Sequence, residues 1–227
     1  RMAERCLRLG TEVGDVDAAN WYGAQLIAVR WAQGRMGELL GLVDELDQSG
    51  TVPELGGVST AALAAVAASA GDEVTARTAL ARLGAGRLGE LPRGSVWLVT
   101  MAAVCDAANA LSDAAAAAEV YELLTPFATL PVLVGLGVAC FGSVHRSLGI
   151  AAFTFYRGAA KIMAHDLGAN ARSGLNAQLC GDAHLSNFGG FGSPDRTIVF
   201  DLNDFDETHP GPFEWDVKRL AASFEIA

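Results

Sequence analysis

Helix-forming segments and short turns alternate at a nearly constant interval over the first 150 residues of the chain. The turns fall at residues 34, 71 and 112, which gives intervals of 37 and 41 residues. Alanine and leucine, which have high helix propensity, are abundant between the turns, and the β-branched alternation typical of strands is scarce. Repeats of this length are typical of stacked helical hairpins. The pattern therefore predicts an α-solenoid of about three hairpins.

Each turn separates two predicted helices. Asp72 and Asp113 follow the second and third turns, and Asp15 precedes the first pair; an aspartate in such a position can cap the start of a helix. The predicted pairs are Trp21–Gln33 with Arg35–Gln48, Val58–Ala70 with Glu73–Leu83, and Ser95–Leu111 with Ala114–Leu124.

Three tryptophans, Trp21, Trp31 and Trp97, lie in these predicted helices. Large apolar residues at helical spacing are usually buried, so we interpret the three rings as anchors of the core. The alternative interpretation is that they line a groove that binds a ligand.

The segment from Leu123 to Val144 contains no charged residue and is long enough to cross a bilayer. Prolines and glycines interrupt it, and after Pro131 only about 14 apolar positions remain, which suits a buried helix better than a membrane span. We therefore predict a buried helix after Pro131 and no membrane-spanning segment.

The net charge of −10 and the pI of about 4.8 exclude two classes of partner. Nucleic acids and anionic membrane surfaces are bound through basic patches, which this composition does not favour. The four cysteines lie far apart, with no C-x-x-C pair and no zinc-type cluster with histidine. We therefore expect a cytoplasmic protein with reduced thiols that binds neither nucleic acid nor membrane.

The composition changes near residue 151, where the alanine-rich hairpins give way to a sequence rich in Gly, Asp, Asn and Phe. This change predicts a helical region at residues 1–151 and a separate small α/β unit at residues 152–227. In the second region the pattern predicts two helices and two strands. The helices are Ala159–Leu167 and Trp215–Ile226, and the strands are Leu175–Cys180 and Thr197–Leu202.

The runs GDAHLSN and VFDLNDFDE in the second region have the layout of a kinase-type phosphoryl-transfer site. Asp182, in the first run, is the candidate catalytic base that accepts the proton of an attacking hydroxyl group. Asn187, five residues later, can supply a neutral oxygen to Mg²⁺. The charged metal ligand is Asp201, at the end of the second strand, or Asp204, and Asp206 belongs to the same acidic cluster.

Several other side chains near these runs have two interpretations. His184 is structural in a kinase-like loop, but in a metallophosphoesterase the same Gly-Asp-x-His run would place Asp182 and His184 on a pair of metal ions. Arg157 could contact a phosphate group or form an ion pair with one of the acids that follow the second strand. Lys218 and Arg219 are predicted to lie on a solvated face of the last helix.

Residues 153–227 resemble the start of the DUF2252 family, an uncharacterised family that is similar to protein kinases and aminoglycoside phosphotransferases. The segments FTFYRGA, CGDAHLSNFG, FDLNDFDET and GPFEWDVKRL carry the resemblance. It implies a kinase-like α/β fold that uses Mg²⁺ and ATP to phosphorylate a hydroxyl group. In the similar phosphotransferases an aspartate of a following helix braces the catalytic loop, and Asp216 stands at that position here.

Residues 1–150 resemble the tetratricopeptide-like C-terminal region of large actinobacterial regulators, which combine it with an ATPase or nucleotide-cyclase module. The segments WAQGR, LPRGSVWL and CFGSVHRSLG carry this resemblance. It implies a scaffold that binds a protein partner. The chain has no Walker A glycine-lysine motif, so the ATPase module of such a regulator is not expected here.

The expected architecture is therefore mainly α: a tetratricopeptide-like α-solenoid of helical hairpins followed by a small, partial kinase-like α/β unit. The DUF2252 resemblance also implies a glycine-rich phosphate-gripping stretch and a lysine in a Lys-Glu-Ala run, and neither occurs up to Ala227. We expect a truncated or fused protein, joined near residue 151, that is inactive as this chain alone. The alternative is a purely non-enzymatic interaction module, and the phosphoryl acceptor stays open.

Overall fold

The computed structural model describes residues 2–48, 57–84, 87–135, 137–170 and 172–226. The chain forms two compact units, Arg1–Ala151 and Ala152–Ala227. The described residues contain ten α-helices and six short strands, and four of the strands belong to the second unit. The protein is therefore mostly helical, with a small strand region toward its C-terminus.

Among the described residues of the first unit, seven helices precede the first strand. They are α1 (Met2–Glu12), α2 (Ala18–Ala32), α3 (Leu40–Gln48), α4 (Val58–Ser69), α5 (Glu73–Arg82), α6 (Trp97–Ala110) and α7 (Ala114–Leu124). The predicted helical segments are confirmed as α2 to α7, with a 3₁₀ turn at Met36–Leu39 in front of α3. α4 packs against α3, α5 and α6, and α6 packs against α7.

The turns before α5 and α7 are built in the same way. Gly71 and Ser112 both have positive φ, and the next amide in each case bonds a carbonyl five residues back, which closes the preceding helix. The carboxylates of Asp72 and Asp113 then accept the amides of Thr75 and Ala116 at 3.0 Å. The predicted caps at 72 and 113 are confirmed.

Asp15 does not cap a helix. Its Oδ1 accepts the amide of Asp17 at 2.9 Å, in the turn before α2, and Asp17 occupies the N-cap position of α2 without a side-chain cap. Asp15 therefore stabilises the turn before α2, and Asp17 is the residue that directly precedes the helix.

Small side chains dominate the contact between α4 and α6, so that the two helices approach closely. Val66 of α4 and Met101 of α6 are buried in the same cluster. Trp97 is also buried, as predicted, whereas Trp21 is 39% exposed and Trp31 is half-buried. The fully buried alanines are Ala61, Ala64 and Ala67 of α4 and Ala107 and Ala108 of α6.

The prediction of a buried helix after Pro131 is wrong. This segment forms an antiparallel hairpin of β1 (Pro131–Val134) and β2 (Ala139–Ser143), in which Leu133 pairs with Cys140. Pro131 disfavours a helix interior, the valines of β1 favour a strand, and the glycines that follow supply the turn. Within the described residues, no helix is long and apolar enough to cross a membrane.

Helix α8 (Val144–Gly158) contains the division between the two units. The second unit continues with α9 (Ala160–Gly168), β3 (Asn176–Leu179), β4 (Phe188–Gly192), β5 (Ile198–Leu202), β6 (His209–Pro212) and α10 (Glu214–Ile226). β3 pairs with β6, and β4 pairs with β5, both antiparallel. The predicted helices and strands of this region are confirmed, but α8 and the strands β4 and β6 were not predicted.

We expect Asp113→Ala to lower the free energy of unfolding by about 1 kcal/mol, because the amide of Ala116 loses its side-chain acceptor. Urea titration followed by circular dichroism measures the change. Asp113→Asn is the matched control, since an asparagine side chain caps a helix about as well as aspartate. Equal losses for the two substitutions would show that the cap contributes nothing.

Candidate functional site

The candidate site is the loop between β3 and β4, which one face of α10 holds in place. The carboxylate of Asp216 accepts the amides of Cys180 at 2.7 Å and Gly181 at 3.1 Å. At the other end of the loop the hydroxyl oxygen of Ser223 accepts the amide of Leu185 at 3.0 Å. The two side chains are seven residues apart, so they project from the same side of the helix. The resemblance predicts that Asp216 braces the loop, and these contacts with the loop backbone are the kind that such a brace requires.

The second member of this face is Arg219, which is only 2% exposed. Its Nε donates to Oδ1 of Asp182 at 2.6 Å, and its terminal nitrogen also contacts that carboxylate. The guanidinium group lies 4.5 Å from the centre of the Tyr156 ring and donates to the backbone carbonyls of Tyr156 and Arg157. The prediction that Arg219 lies on a solvated helix face is therefore wrong, whereas Lys218 is exposed.

Two opposing effects act on the carboxyl group of Asp182. Its partial burial would raise the pKa, but the hydrogen bond from His184 and the charge of Arg219 outweigh that effect and lower the pKa below the ordinary value. The group is therefore held in its charged form.

His184 is buried beside Asp182 and is 2% exposed. Its Nε2 lies 3.4 Å from Oδ2 of Asp182, and its ring meets the edge of Phe153 at 6.1 Å between ring centres. Its Nδ1 is buried and has no hydrogen-bond partner among the described residues. The histidine thus contacts Oδ2 of Asp182, whereas Arg219 contacts Oδ1.

Asn187 ends the loop in a 3₁₀ turn and is almost fully buried. Its side-chain nitrogen donates to the backbone carbonyl of Asp182 at 2.8 Å, so the two candidate residues are tied within one loop. The backbone carbonyl of Asn187 accepts the amide of Asn203, just after β5, at 3.0 Å. This bond connects the loop to the acidic segment.

The carboxylates of the acids on and after β5 accept hydrogen bonds from neighbouring backbone amides. Asp201, on β5, is exposed and accepts the amide of Leu202 at 2.8 Å. Oδ1 of Asp204 accepts the amide of Asp206 at 3.2 Å, and its backbone carbonyl accepts the thiol of Cys180 at 3.2 Å. Within the described ranges, no three His, Cys, Asp or Glu side chains form a group that could hold a metal ion.

The acidic segment passes close to the start of the loop at Gly181. A Cβ atom at this position would lie 2.3 Å from the carbonyl oxygen of Glu207, so only glycine fits there. Gly181 also has φ +86°, which other residues rarely adopt. The structure therefore brings Asp182, His184, Asn187 and Asp216 together in one loop network, with the acidic segment alongside it.

Arg157 is the remaining predicted site residue, and it lies near the end of α8. Its backbone carbonyl accepts a hydrogen bond from Arg219. Its Nε is buried without a hydrogen-bond partner in the part of the chain that the structure describes. The buried contacts of Tyr156, Arg219 and Ser223 were not predicted, although the polar positions 216, 219 and 223 repeat at helical spacing and indicate a buried polar face of α10.

Residues 144–227 match the family model of DUF2252, described as an uncharacterized protein conserved in bacteria. The match includes the loop, the acidic segment and α10, and it supports the DUF2252 resemblance for this part of the chain. No curated protein and no solved structure matches the chain.

Replacing Arg219 tests how much its contact with Asp182 stabilises the loop between β3 and β4. We expect Arg219→Met to lower the free energy of unfolding of the second unit by about 3 kcal/mol, because the partly buried Asp182 carboxylate loses its counter-charge. Urea titration with hydrogen exchange of the 180–187 amides measures the loss. Lys218→Met, which removes the exposed neighbouring charge, is the control and should leave exchange unchanged. Similar exchange in both variants would contradict the role of Arg219.

The lowered pKa of Asp182 also predicts acid sensitivity. A depressed pKa in the folded state stabilises the protein above the unfolded-state pKa of about 4, and this contribution is lost as the pH falls below that value. Asp182→Asn should therefore flatten the loss of stability between about pH 5 and pH 2, although it lowers stability at pH 7. Urea titrations across this range measure the slope. Asp166→Asn, which removes an exposed carboxylate of α9, should keep the wild-type slope.

Proposed function

We propose that residues 152–227 carry the catalytic loop and the metal-binding segment of a kinase-like phosphotransferase that uses Mg²⁺ and ATP. Asp182 acts as the proton acceptor for the attacking hydroxyl, and Asn187 with Asp201 or Asp204 holds the metal ion against the phosphates. The main support is the brace between the Asp216 carboxylate and the amides of Cys180 and Gly181, which sets the conformation of the loop. The DUF2252 match over this region is the second support.

The arrangement of Asp182 limits the activity that this chain can have by itself. A carboxylate paired with a guanidinium group and carrying a lowered pKa is a weak proton acceptor. Turnover would require Arg219 to release at least one oxygen of Asp182, and the acids at 201, 204 and 206 would have to converge on a metal ion. We therefore propose that this chain alone turns over substrate slowly or not at all.

For residues 1–151 we propose a tetratricopeptide-like module that binds a protein partner in the cytoplasm. The packing of α4 against α5 and α6, and of α6 against α7, supports this proposal, as does the shared construction of the turns at 71 and 112. Without phosphoryl transfer, the whole chain would act as an interaction protein. This is the second candidate function. The observation that favours it is the hydrogen bond from Arg219 to the Asp182 carboxylate, which would otherwise be the proton acceptor.

Calorimetric titration of Mg·ATP into the full chain distinguishes the two candidates. The phosphotransferase proposal predicts saturable binding that Asp201→Ala with Asp204→Ala abolishes, because both candidate charged ligands are removed. Asp182→Asn should retain nucleotide binding, since this residue acts on the acceptor hydroxyl.

The charge-matched control is Asp166→Ala with Glu225→Ala, which removes two exposed carboxylates elsewhere in the same unit and should bind Mg·ATP normally. If the unmodified chain does not bind Mg·ATP, or if both double variants bind it equally well, the interaction-protein function stands instead.

A further inference from the structure

The first unit contains an apolar cavity of about 240 Å³ that the proposed function does not use. It lies where α2, α3, α4 and α6 meet the β1–β2 hairpin. An aromatic wall is formed by Trp21, Trp31 and Phe141, and the rest of the lining is mainly aliphatic and includes Ala62 and Ala103.

The aromatic wall is fixed before any ligand binds. Nε1 of Trp31 donates to Oδ2 of Asp106 at 3.1 Å, and the ring of Phe141 meets Trp31 at an angle of 64° with 5.5 Å between ring centres. The guanidinium group of Arg146 lies 4.6 Å from the centre of the Trp31 ring and donates to the other oxygen of Asp106 at 3.2 Å. These contacts hold the Trp31 ring in one orientation, which reduces the side-chain entropy that the protein loses when a ligand binds.

The two charged side chains in the lining, Asp106 and Arg146, form an ion pair with each other. Asp106 accepts from both Trp31 and Arg146, so its carboxylate is neutralised within the wall. Almost all the remaining lining atoms are carbon. A cavity of this kind disfavours water and favours an apolar ligand.

We propose that this cavity binds a small, neutral, flat aromatic molecule. An engineered apolar cavity of about 150 Å³ accepts benzene, so the larger volume here suits a fused bicyclic ring of about ten non-hydrogen atoms. Such a ring can pack edge-to-face or offset against the fixed tryptophan and bury most of its surface in the cavity. The site is independent of the phosphoryl-transfer proposal, because every residue that lines it belongs to the first unit.

Calorimetric titration of the full chain with indole tests the proposal. Indole should bind saturably at one site with a negative heat-capacity change, as expected for burial of apolar surface. Purine has the same fused-ring size but several ring nitrogens, which would lose water without finding hydrogen-bond partners, so it should bind at least about tenfold more weakly. Equal binding of the two probes would overturn the proposal.

Filling the cavity locates the site. Ala62→Leu and Ala103→Leu each place three more carbon atoms in the lining, and each should weaken indole binding by about tenfold or more. Ala115→Leu, on the exposed side of α7, is the matched control and should bind indole with wild-type affinity. Circular dichroism shows whether each variant is folded, and the two filling variants serve as alternatives if one of them does not fold.

Three further outcomes would overturn the proposal. The first is the absence of saturable indole binding to the wild-type chain. The second is wild-type affinity in a folded filling variant. The third is that sedimentation shows a dimer that both indole and Ala62→Leu dissociate, because the cavity would then be occupied by a second copy of the chain.

Discussion

The ion pair between the partly buried Asp182 and the buried Arg219 is the interaction on which the candidate site depends. The arginine is almost fully buried, and its guanidinium group is matched by one carboxylate and by backbone carbonyls of α8. Either partner alone would leave an uncompensated charge in a medium of low dielectric constant. Asp216 and Ser223, on the same face of α10, hold the two ends of the loop around this pair. The conformation of the whole loop therefore follows from one helix face.

The two units reach stability by different physical means. In the first unit, small side chains let α4 and α6 approach closely, and fully buried apolar residues fill the space around them. The second unit has fewer than 80 residues, and large apolar side chains such as Ile198 and Phe200 are 88% and 75% exposed. A chain segment of that size buries a smaller fraction of its surface, so its polar network contributes a larger part of its stability.

The same contacts that stabilise the loop also restrain its chemistry. A proton acceptor works best when its pKa lies near the working pH, whereas the charge of Arg219 and the hydrogen bond of His184 lower the pKa of Asp182. Stability and the proposed phosphoryl transfer thus make opposite demands on one carboxyl group. The proposed chemistry requires this pair to open, and the stability of the loop requires it to stay closed.

Much of the fold could be predicted because its signals are local. The positive-φ turn at Gly71 and the cap of Asp72 involve residues that are neighbours in sequence, so periodicity and turn chemistry identified α4 and α5 almost to the residue. The contact of Asp216 with the loop backbone was also accessible, because the resemblance links a helix position to a loop.

Local sequence patterns did not predict the structure where a residue's environment is set by a contact with a residue distant in sequence. The residues after Pro131 were interpreted by length and hydropathy, which do not distinguish a short buried helix from the β1–β2 hairpin. Whether Arg219 is solvated or buried depends on Asp182, 37 residues away, and the orientation of Trp31 depends on Asp106, 75 residues away. The sequence by itself determined approximately where helices α4 to α7 begin and end, because those choices rest on neighbouring residues. Only the tertiary structure decided which charges are buried and which rings line a cavity, because both depend on contacts between distant segments.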